Sequence, residues 1–348
     1  MSKLHVFYRK EQSVHSPKIE ILNGSIEPHY DGIERHNALV NTIMDNHHLF
    51  HLQEPSKEIS KEQLLACHKP DYLLALEHSK NIGQPQKIPY CFFPGAAQEN
   101  ADPANLMHLG AYSFDTVTPL DGHTYPAALA SSSNAIELAD ALYAKALPVG
   151  YAMCRPLGHH AMKSYFGGYS YLNNAALCAR RLQRLSSLKV AVLDIDFHHG
   201  NGTQDIFYDD PNVLFASLHG EPAESFPYFS GSKDQTGHKD GLGTTLNVPL
   251  EKGTDSESYL DRLLNQVLPR IRAFEASFLV VSVGFDTYKK DPLGHFALEK
   301  EVYPRIARSL MDLGLPCALI QEGGYFLPDL PLLMLEFLTP WRNHHVIS

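Results

Sequence analysis

Four short, uninterrupted apolar runs constrain the fold of this chain more than any other feature. They lie in the segments VGYAMCRPLGHH, KVAVLDIDFHHG, FLVVSVGFDTY and PCALIQEGGY, and each gives way to polar residues. Strands buried on both faces read as continuous apolar runs, and helical patterns separate these four. The sequence therefore predicts an α/β fold, with a central, mostly parallel sheet and helices on both faces.

The same pattern assigns elements along the chain. It predicts strands at 4–8, 149–154, 189–194, 213–218, 244–248, 278–284 and 317–321. It predicts helices at 32–45, 70–79, 126–146, 174–185, 203–208, 256–273, 299–313 and 330–338. Because this alternation runs on without a break in composition, residues 1–348 are expected to form a single domain.

Two of the runs end in residues that bind metals. Asp196 and His198 follow the second run, and Asp286 follows the third. Ligands of parallel sheets bind beyond the carboxyl ends of the strands, and residues i and i+2 of an extended segment point the same way. Zinc in catalytic sites takes three protein ligands, which matches this set. A lone Asp-x-His pair is also compatible with a solvated strand end, but burying the further carboxylate of Asp286 beyond an apolar strand without a cation is costly.

The other two runs deliver groups that transfer protons. The first ends in His159 and His160, and the fourth ends in Tyr325 after two glycines. Histidine is suited to take a proton from water and return it to a leaving group, and a phenol can donate to an oxyanion. For either histidine alone, a structural hydrogen-bonding role is equally compatible with the sequence, and Tyr325 alone is compatible with a rim tyrosine bonded to water.

A two-metal site of the arginase type is an alternative within the same fold class. Such a site needs more carboxylates. Here His199-Gly200 and Thr287-Tyr288 follow the candidate ligands, so neither segment offers further acidic ligands. A single metal ion is the better prediction.

Composition limits the kinds of partner. The formal charge of −10 and the absence of Lys/Arg clusters argue against nucleic acid and favour cationic ligands. No apolar stretch approaches the ~20 residues of a membrane span, and the first residues lack the pattern of a secretory signal. The five cysteines show no CxxC spacing and mostly lie in apolar runs. They are predicted to be reduced core thiols of a cytoplasmic protein.

Residues 84–125 interrupt the periodicity. Five prolines with scattered Gly and Asn predict a long loop on the surface. Loops of this length in compact domains are usually functional.

Several long motifs resemble the zinc-dependent histone deacetylase superfamily, and most of all its bacterial acetylpolyamine amidohydrolases. They are CRPLGHHA, FGGYSYLNNAA, LDIDFHHGNGTQDIFY, FASLHGEPAESFPYF, VSVGFDTY and QEGGY, in family order. The resemblance implies a single-domain arginase/deacetylase-like fold. It also implies a zinc-dependent hydrolase that deacetylates N-acetylated polyamines or diamines. Protein acetyl-lysine, another small acylamide, and a non-catalytic acyl-ligand reader are the alternatives.

The resemblance also implies residue roles. One zinc ion would be held by Asp196, His198 and Asp286, with His160 as general base and then acid. His159 would be its electrostatic partner, and Tyr325 would polarise the acetyl carbonyl. The remaining implied positions are Asp194 and Asn201 behind the two histidines, the tunnel walls Tyr169 and Phe226, and a structural potassium site at Asp194, Asp196, His198, Ser217 and Leu218. Because Asn201 stands where some relatives have aspartate, His160 is expected to be harder to protonate.

The chain departs from the family pattern in two places. Leu157 replaces a proline of the branch, which is expected to alter only packing. In the loop at 84–125, Leu106 and Val117 stand where polyamine enzymes have acidic residues for the distal ammonium group, and Asp115 is a candidate substitute. In the family this loop narrows the tunnel and builds a dimer, so a homodimer or larger homo-oligomer is expected.

Overall fold

The structure is a computed structural model that describes residues 2–83, 86–91 and 96–346. Eight strands form one parallel sheet in the order β4-β1-β5-β10-β9-β6-β7-β8. Their bounds are β1 Leu4–Phe7, β4 Phe50–Gln53, β5 Val149–Ala152, β6 Val190–Asp194, β7 Val213–Gly220, β8 Thr245–Leu250, β9 Phe278–Val283 and β10 Cys317–Gln321. A separate antiparallel hairpin consists of β2 Ile19–Leu22 and β3 Ser25–Pro28.

Helices cover both faces of the sheet. The α-helices are α1 Ile33–Asp45, α2 Lys61–Leu64, α3 Pro70–His78, α4 Ala96–Glu99, α5 Thr124–Tyr143, α6 Asn174–Ser186, α7 Asn201–Phe207, α8 Ser256–Arg262, α9 Leu268–Phe274, α10 Tyr303–Met311 and α11 Leu330–Leu338. A π-helical turn, Leu263–Val267, joins α8 to α9. Short 3₁₀ turns occupy Lys10–Val14, Ser79–Asn81, Leu106–Tyr112, Lys239–Gly241, Lys300–Val302 and Pro340–Asn343.

The apolar runs are continuous because the sheet is buried on both sides. Ala191 and Leu193 of β6 pack in a cluster with α1 and α8–α11, whereas Val190 and Val192 pack in a second cluster with α3, α5 and α6. Every residue of β5, β6, β9 and β10 is buried. Alternate residues of each central strand therefore face opposite apolar layers, as predicted for this fold class.

Some elements differ from the sequence-based expectation. The hairpin β2–β3, the edge strand β4 and the short helix α2 were not predicted. The hairpin turns at Asn23-Gly24, whose φ angles of 51° and 82° are the positive values that this dipeptide adopts readily in tight turns. The predicted helix at 299–313 begins as a 3₁₀ turn, so its α-helical part is only α10.

The predicted surface loop at 84–125 is only partly at the surface. Residues 84–85 and 92–95 lie outside the described residues. The latter half turns inward, and Leu109, Tyr112, Thr118 and Leu120 are buried. The prediction of an exposed excursion is therefore wrong for this half, because its apolar side chains complete the second core cluster.

The cysteines are all free, and four of the five are buried, as predicted. Cys91 is the exception, since it is exposed and lines a cavity. No helix within the described ranges is both long and apolar enough to span a bilayer.

Candidate active site

The sheet order brings four functional segments together at one edge. Strands β5, β10, β9 and β6 are consecutive neighbours in the sheet. The segments that follow them carry, in the same order, the histidine pair, Tyr325, Asp286, and the pair Asp196 and His198. Because all four strands are parallel, their carboxyl ends meet at one rim.

The three candidate metal ligands converge at this rim. Single ligand atoms of Asp196, His198 and Asp286 all lie within 4.8 Å of one another. The Nδ1 atom of His198 lies 2.9 Å from Asp286 Oδ2 and 3.3 Å from Asp196 Oδ1. Phe197, between two of the ligands, is 1% exposed and packs in the core. The i, i+2 spacing thus works as the sequence predicted.

Backbone amides fix the two carboxylates. The N–H of Gly323 donates to Asp196 Oδ2 at 2.8 Å, and the N–H of Phe197 donates to Asp286 Oδ1 at 2.8 Å. A Cβ on Gly323 would lie 2.5 Å from Asp286 Oδ2 and 2.7 Å from Asp196 Oδ2. The backbone that follows β10 approaches the two carboxylates so closely that this position requires glycine.

The charges of Asp196, His198 and Asp286 favour the binding of a cation. Burial, followed by the neighbouring Asp196, raises the pKa of Asp286 to about 7. Burial alone would lower the pKa of His198, but hydrogen bonds to Asp196 and Asp286 raise it to about 10. In this arrangement the protonated His198 imidazole lies between the two buried carboxylates, and among the described residues His159 is the other cationic side chain near Asp196, at 3.9 Å. One nitrogen ligand and two carboxylate oxygens, whose negative charge a cation would balance, fit a zinc ion.

The two adjacent histidines have different partners. His159 Nδ1 lies 2.9 Å from Asp194 Oδ2, and His160 Nδ1 lies 2.6 Å from Asn201 Oδ1. Their ring centroids are 3.9 Å apart. Burial disfavours charge on both rings. Asp194 reverses this for His159, whose pKa rises to about 10.

His160 is held neutral. Burial first, and then the charge of His159, hold its pKa well below the ordinary value. Its bond to the Asn201 amide oxygen places the proton on Nδ1, so Nε2 is the nitrogen free to accept. Of the two histidines, His160 is the one that lines the cavity described below.

Tyr325 is held in a tightly bonded loop. The guanidinium of Arg35 donates to the carbonyls of Gly324 at 2.7 Å and Glu322 at 2.5 Å, and lies 5.2 Å from the Tyr325 ring centroid. The Asp291 carboxylate accepts from the Tyr325 N–H at 2.6 Å. Burial raises the pKa of Tyr325 well above its ordinary value, so the phenol keeps its proton.

A cavity of ≈ 540 Å³ leads to these residues. It is lined by His160, His198 and Tyr325 at its inner end, and by the predicted walls Tyr169 and Phe226. Phe226 packs 5.1 Å from the His160 ring, and Tyr169 packs 5.8 Å from the Tyr325 ring. Five of the predicted site residues therefore line this cavity. The others, Asp194, Asp196, Asp286, His159 and Asn201, contact these residues or one another.

The loop at 84–125 contributes unevenly to the cavity. Val117 lines it, whereas Leu106 packs against the second core cluster. The carboxylate of Asp115 accepts hydrogen bonds from Val117 N, Gly168 N and Thr118 Oγ1. Asp115 thus shapes the loop around Gly168 and Tyr169.

Sequence reasoning missed Glu20 and Arg35. Glu20, on β2, is buried, and its Oε1 accepts from the hydroxyl of Tyr169 at 3.0 Å. Tyr169 has a φ of 61°, an unusual value for an aromatic residue, so the tertiary contacts must hold it there. The Asn-Gly turn between alternating apolar residues was a signal for this hairpin. No local signal pointed to Arg35.

Several known proteins are similar to this chain in amino-acid sequence. Residues 29–339 match the family model described as the histone deacetylase domain. An acetylpolyamine amidohydrolase from Mycoplana ramosa is 36% identical over 94% of this chain and 97% of its own length. Acetylpolyamine amidohydrolase 1 from Pseudomonas aeruginosa is 35% identical over 91% and 93% of the two chains.

A solved structure agrees with these relatives. The crystal structure of an acetylpolyamine aminohydrolase from Burkholderia pseudomallei superposes with a TM-score of 0.90 at 30% identity, covering 99% of this chain and 100% of that one. The matched region contains every residue of the site described above except Glu20. This chain belongs to the histone deacetylase family.

Proposed function

We propose that this protein is a zinc-dependent amidohydrolase that removes acetyl groups from N-acetylated polyamines or diamines, releasing acetate and a free amine. The observation that carries the proposal is the meeting of a three-ligand group, a neutral buried imidazole and a protonated phenol at the inner end of one cavity. Family membership and the acetylpolyamine amidohydrolase relatives support the same reaction.

Asp196, His198 and Asp286 would hold one zinc ion per chain. A zinc ion at this position supplies Lewis acidity, which polarises a carbonyl group and makes a water molecule more acidic. The ligands themselves are positioned by the amides of Gly323 and Phe197. This support fixes the carboxylate oxygens before any ion arrives.

His160 would act as the base and then as the acid. His160 lines the cavity, and its Nε2 would take a proton from the hydrolytic water. The same nitrogen would return that proton to the amine as the amide bond breaks. The protonated His159–Asp194 pair stays beside it as a fixed charge. Asn201 orients the His160 ring without adding a charge.

Tyr325 would stabilise the oxyanion that forms as the acetyl carbonyl is attacked. Its phenol keeps its proton, so it can donate a hydrogen bond to the developing negative charge. Arg35 and Asp291 hold its backbone in place.

The walls of the cavity suit a slender substrate. Tyr169 and Phe226 present aromatic surfaces to a chain that passes between them, and aliphatic carbons pack well on aromatic rings. The cavity walls carry no Lys or Arg within the described residues, which suits a cationic amine.

The test combines one substitution with a substrate panel. Tyr325→Phe should retain zinc and lose about 10²-fold or more in kcat, because it removes one oxyanion donor. Zinc content and turnover of acetylputrescine, acetylcadaverine, acetylspermidine and an acetyl-lysine peptide are measured together. Tyr143→Leu, which changes an exposed tyrosine at the end of α5, is the control. Unchanged kcat in Tyr325→Phe, or clear preference for the peptide, would contradict the proposal.

Four further properties belong to this proposal. A potassium ion would bind at Asp194, Asp196, His198, Ser217 and Leu218, and the pairing of Asp194 with Ser217 across β6 and β7 supports it.

The protein would be cytoplasmic, which suits its free thiols, and would not bind nucleic acid. It would form a homodimer or a larger homo-oligomer, which the exposed Tyr90 and Met107 support. Potassium-dependent thermal unfolding and sedimentation measure the first and last of these.

A further inference from the structure

The outer part of the cavity is lined by a cluster of aromatic rings. Phe114, Phe226, Tyr228 and Phe229 all line it. The ring centroids of Phe114 and Phe226 are 6.0 Å apart in a stacked arrangement, and those of Phe114 and Phe229 are 5.6 Å apart at an interplanar angle of 85°. Phe226 in turn contacts His160. The rings thus form a continuous wall from the candidate catalytic residues outward.

Phe114 is fixed within this wall. A Cβ on Gly167 would lie 2.3 Å from the Phe114 ring, so the ring rests directly on the backbone of Gly167. The N–H of Phe114 also donates to the carbonyl of Phe166 at 3.2 Å. A side chain held this closely presents its ring in one orientation, which lowers the entropy cost of binding a ligand.

The outermost rings are unusually exposed. Tyr228 is 59% exposed and Phe229 is 56% exposed. Tyr228 also has a φ of 68°, a value that costs free energy for an aromatic residue. Large exposed aromatic side chains at the rim of a cavity are typical of a binding surface.

The charges around the cluster favour a cation. The described lining residues include two carboxylates, Asp115 and Glu224, and no Lys or Arg. The carboxylate of Asp115 is already bonded to three donors of the loop. Glu224 is exposed beside the aromatic rim. Val117 adds only hydrocarbon, so Asp115 and Glu224 are the only carboxylates among the described lining residues, and that of Asp115 already accepts three hydrogen bonds.

We propose that the faces of Phe114, Phe226 and Phe229 bind the distal ammonium group of the acylated amine by cation–π interaction, with Glu224 adding negative charge at the mouth. The inference rests on the proposed function and names how that site selects its substrate. Aromatic faces attract a cation within about 6 Å of the ring centroid. They also accept cations at several positions along the wall, so amines of different length would share this subsite.

The competing explanation is simple apolar packing. Aromatic rings bind an uncharged alkyl chain as readily as the stem of an amine. Two ligands separate the explanations, because N-acetylputrescine ends in an ammonium group where N-pentylacetamide ends in a methyl group of similar size. Simple apolar packing does not distinguish them, and replacing the aromatic rings then separates a cation–π contact from the charge of Glu224.

Binding is measured by calorimetry on the zinc-loaded Tyr325→Phe protein, so that it does not depend on turnover. Phe114→Leu and Phe229→Leu are each added to this background, and Tyr143→Leu is the matched control. Leucine keeps an apolar surface but has no aromatic face. Each substitution should weaken binding of N-acetylputrescine by about two- to five-fold, as for exposed cation–π contacts, and leave N-pentylacetamide unchanged. Tyr143→Leu should change neither.

Equal weakening for both ligands, or equal affinity of the two ligands for the parent protein, would overturn the subsite. The turnover of N-acetylputrescine by the protein with Tyr325 intact is measured separately. If ammonium selectivity is found without turnover, the subsite stands and the proposed reaction fails. If turnover is found without ammonium selectivity, the reaction stands and the subsite fails.

Discussion

Gly323→Ala tests whether the carboxylates of the metal group are held as rigidly as the structure indicates. A Cβ at this position would lie 2.5 Å from Asp286 Oδ2 and 2.7 Å from Asp196 Oδ2. Restoring an ordinary contact of 3.4 Å requires these oxygens to move by about 0.9 and 0.7 Å. Both aspartates are fully buried and each accepts a backbone N–H, so neither can rotate without losing that bond.

Metal sites tolerate ligand displacements of only about 0.2 Å. The substitution should therefore lower zinc affinity by at least about 10- to 100-fold, the range found when groups supporting metal ligands are lost. Zinc affinity is measured by competition with a chromogenic chelator. The rise in Tm on adding zinc is measured in parallel, because a ligand that binds the folded chain stabilises it in proportion to the logarithm of its affinity.

Gly83→Ala is the matched control, since a Cβ there would meet nothing within 4 Å. It should bind zinc as the unaltered protein does. If Gly323→Ala also binds zinc with unchanged affinity and shows the same rise in Tm on adding zinc, the carboxylates are mobile. The reasoning about a preformed metal group is then refuted.

Three further substitutions test the surroundings of the site. Asn201→Asp places a negative charge 2.6 Å from His160 Nδ1, which should raise the pKa of His160. The acid limb of the pH profile of kcat/KM should therefore move to higher pH. An unmoved limb would show that His160 is not the titrating base. Gly168→Ala, whose Cβ would lie 2.2 Å from the His160 ring at a φ of 54°, should abolish most activity at unchanged zinc content, and near-normal kcat would contradict the packing described. Burial raises the pKa of Glu20 from 4.5 to about 8, so the folded chain binds an extra proton between these values and its stability should fall as pH rises through them. Glu20→Gln should flatten this fall in Tm, and an identical pH dependence in both proteins would exclude Glu20 as its source.

The sequence predicted candidate site residues that the structure brings together, because these residues lie at strand ends. A strand buried on both faces excludes polar residues until it ends, so Asp196, His198 and Asp286 are recognisable from the point at which each apolar run breaks off. The fold class is confirmed for the same reason, since the runs and the helical patterns between them determine a parallel sheet.

Other parts of the site had no local signal. Arg35 is on α1, about 290 residues before the loop that it supports, and its bonds go to backbone carbonyls that any residue provides. Glu20 is an acidic residue in a short strand, and only its burial beneath Tyr169 gives it a role. The inward turn of residues 109–120 was also missed, because proline-rich sequence indicates irregular structure rather than exposure.

The sequence by itself therefore determined which side chains are the candidates for metal binding and catalysis, since residue type and strand ends are features of the local sequence. Only the tertiary structure decided that they meet. Strand β10 enters the sheet between β5 and β9, although it is the last strand in the chain. That insertion places Tyr325 between the histidine pair and Asp286, and it depends on long-range packing of both sheet faces, which no local pattern specifies.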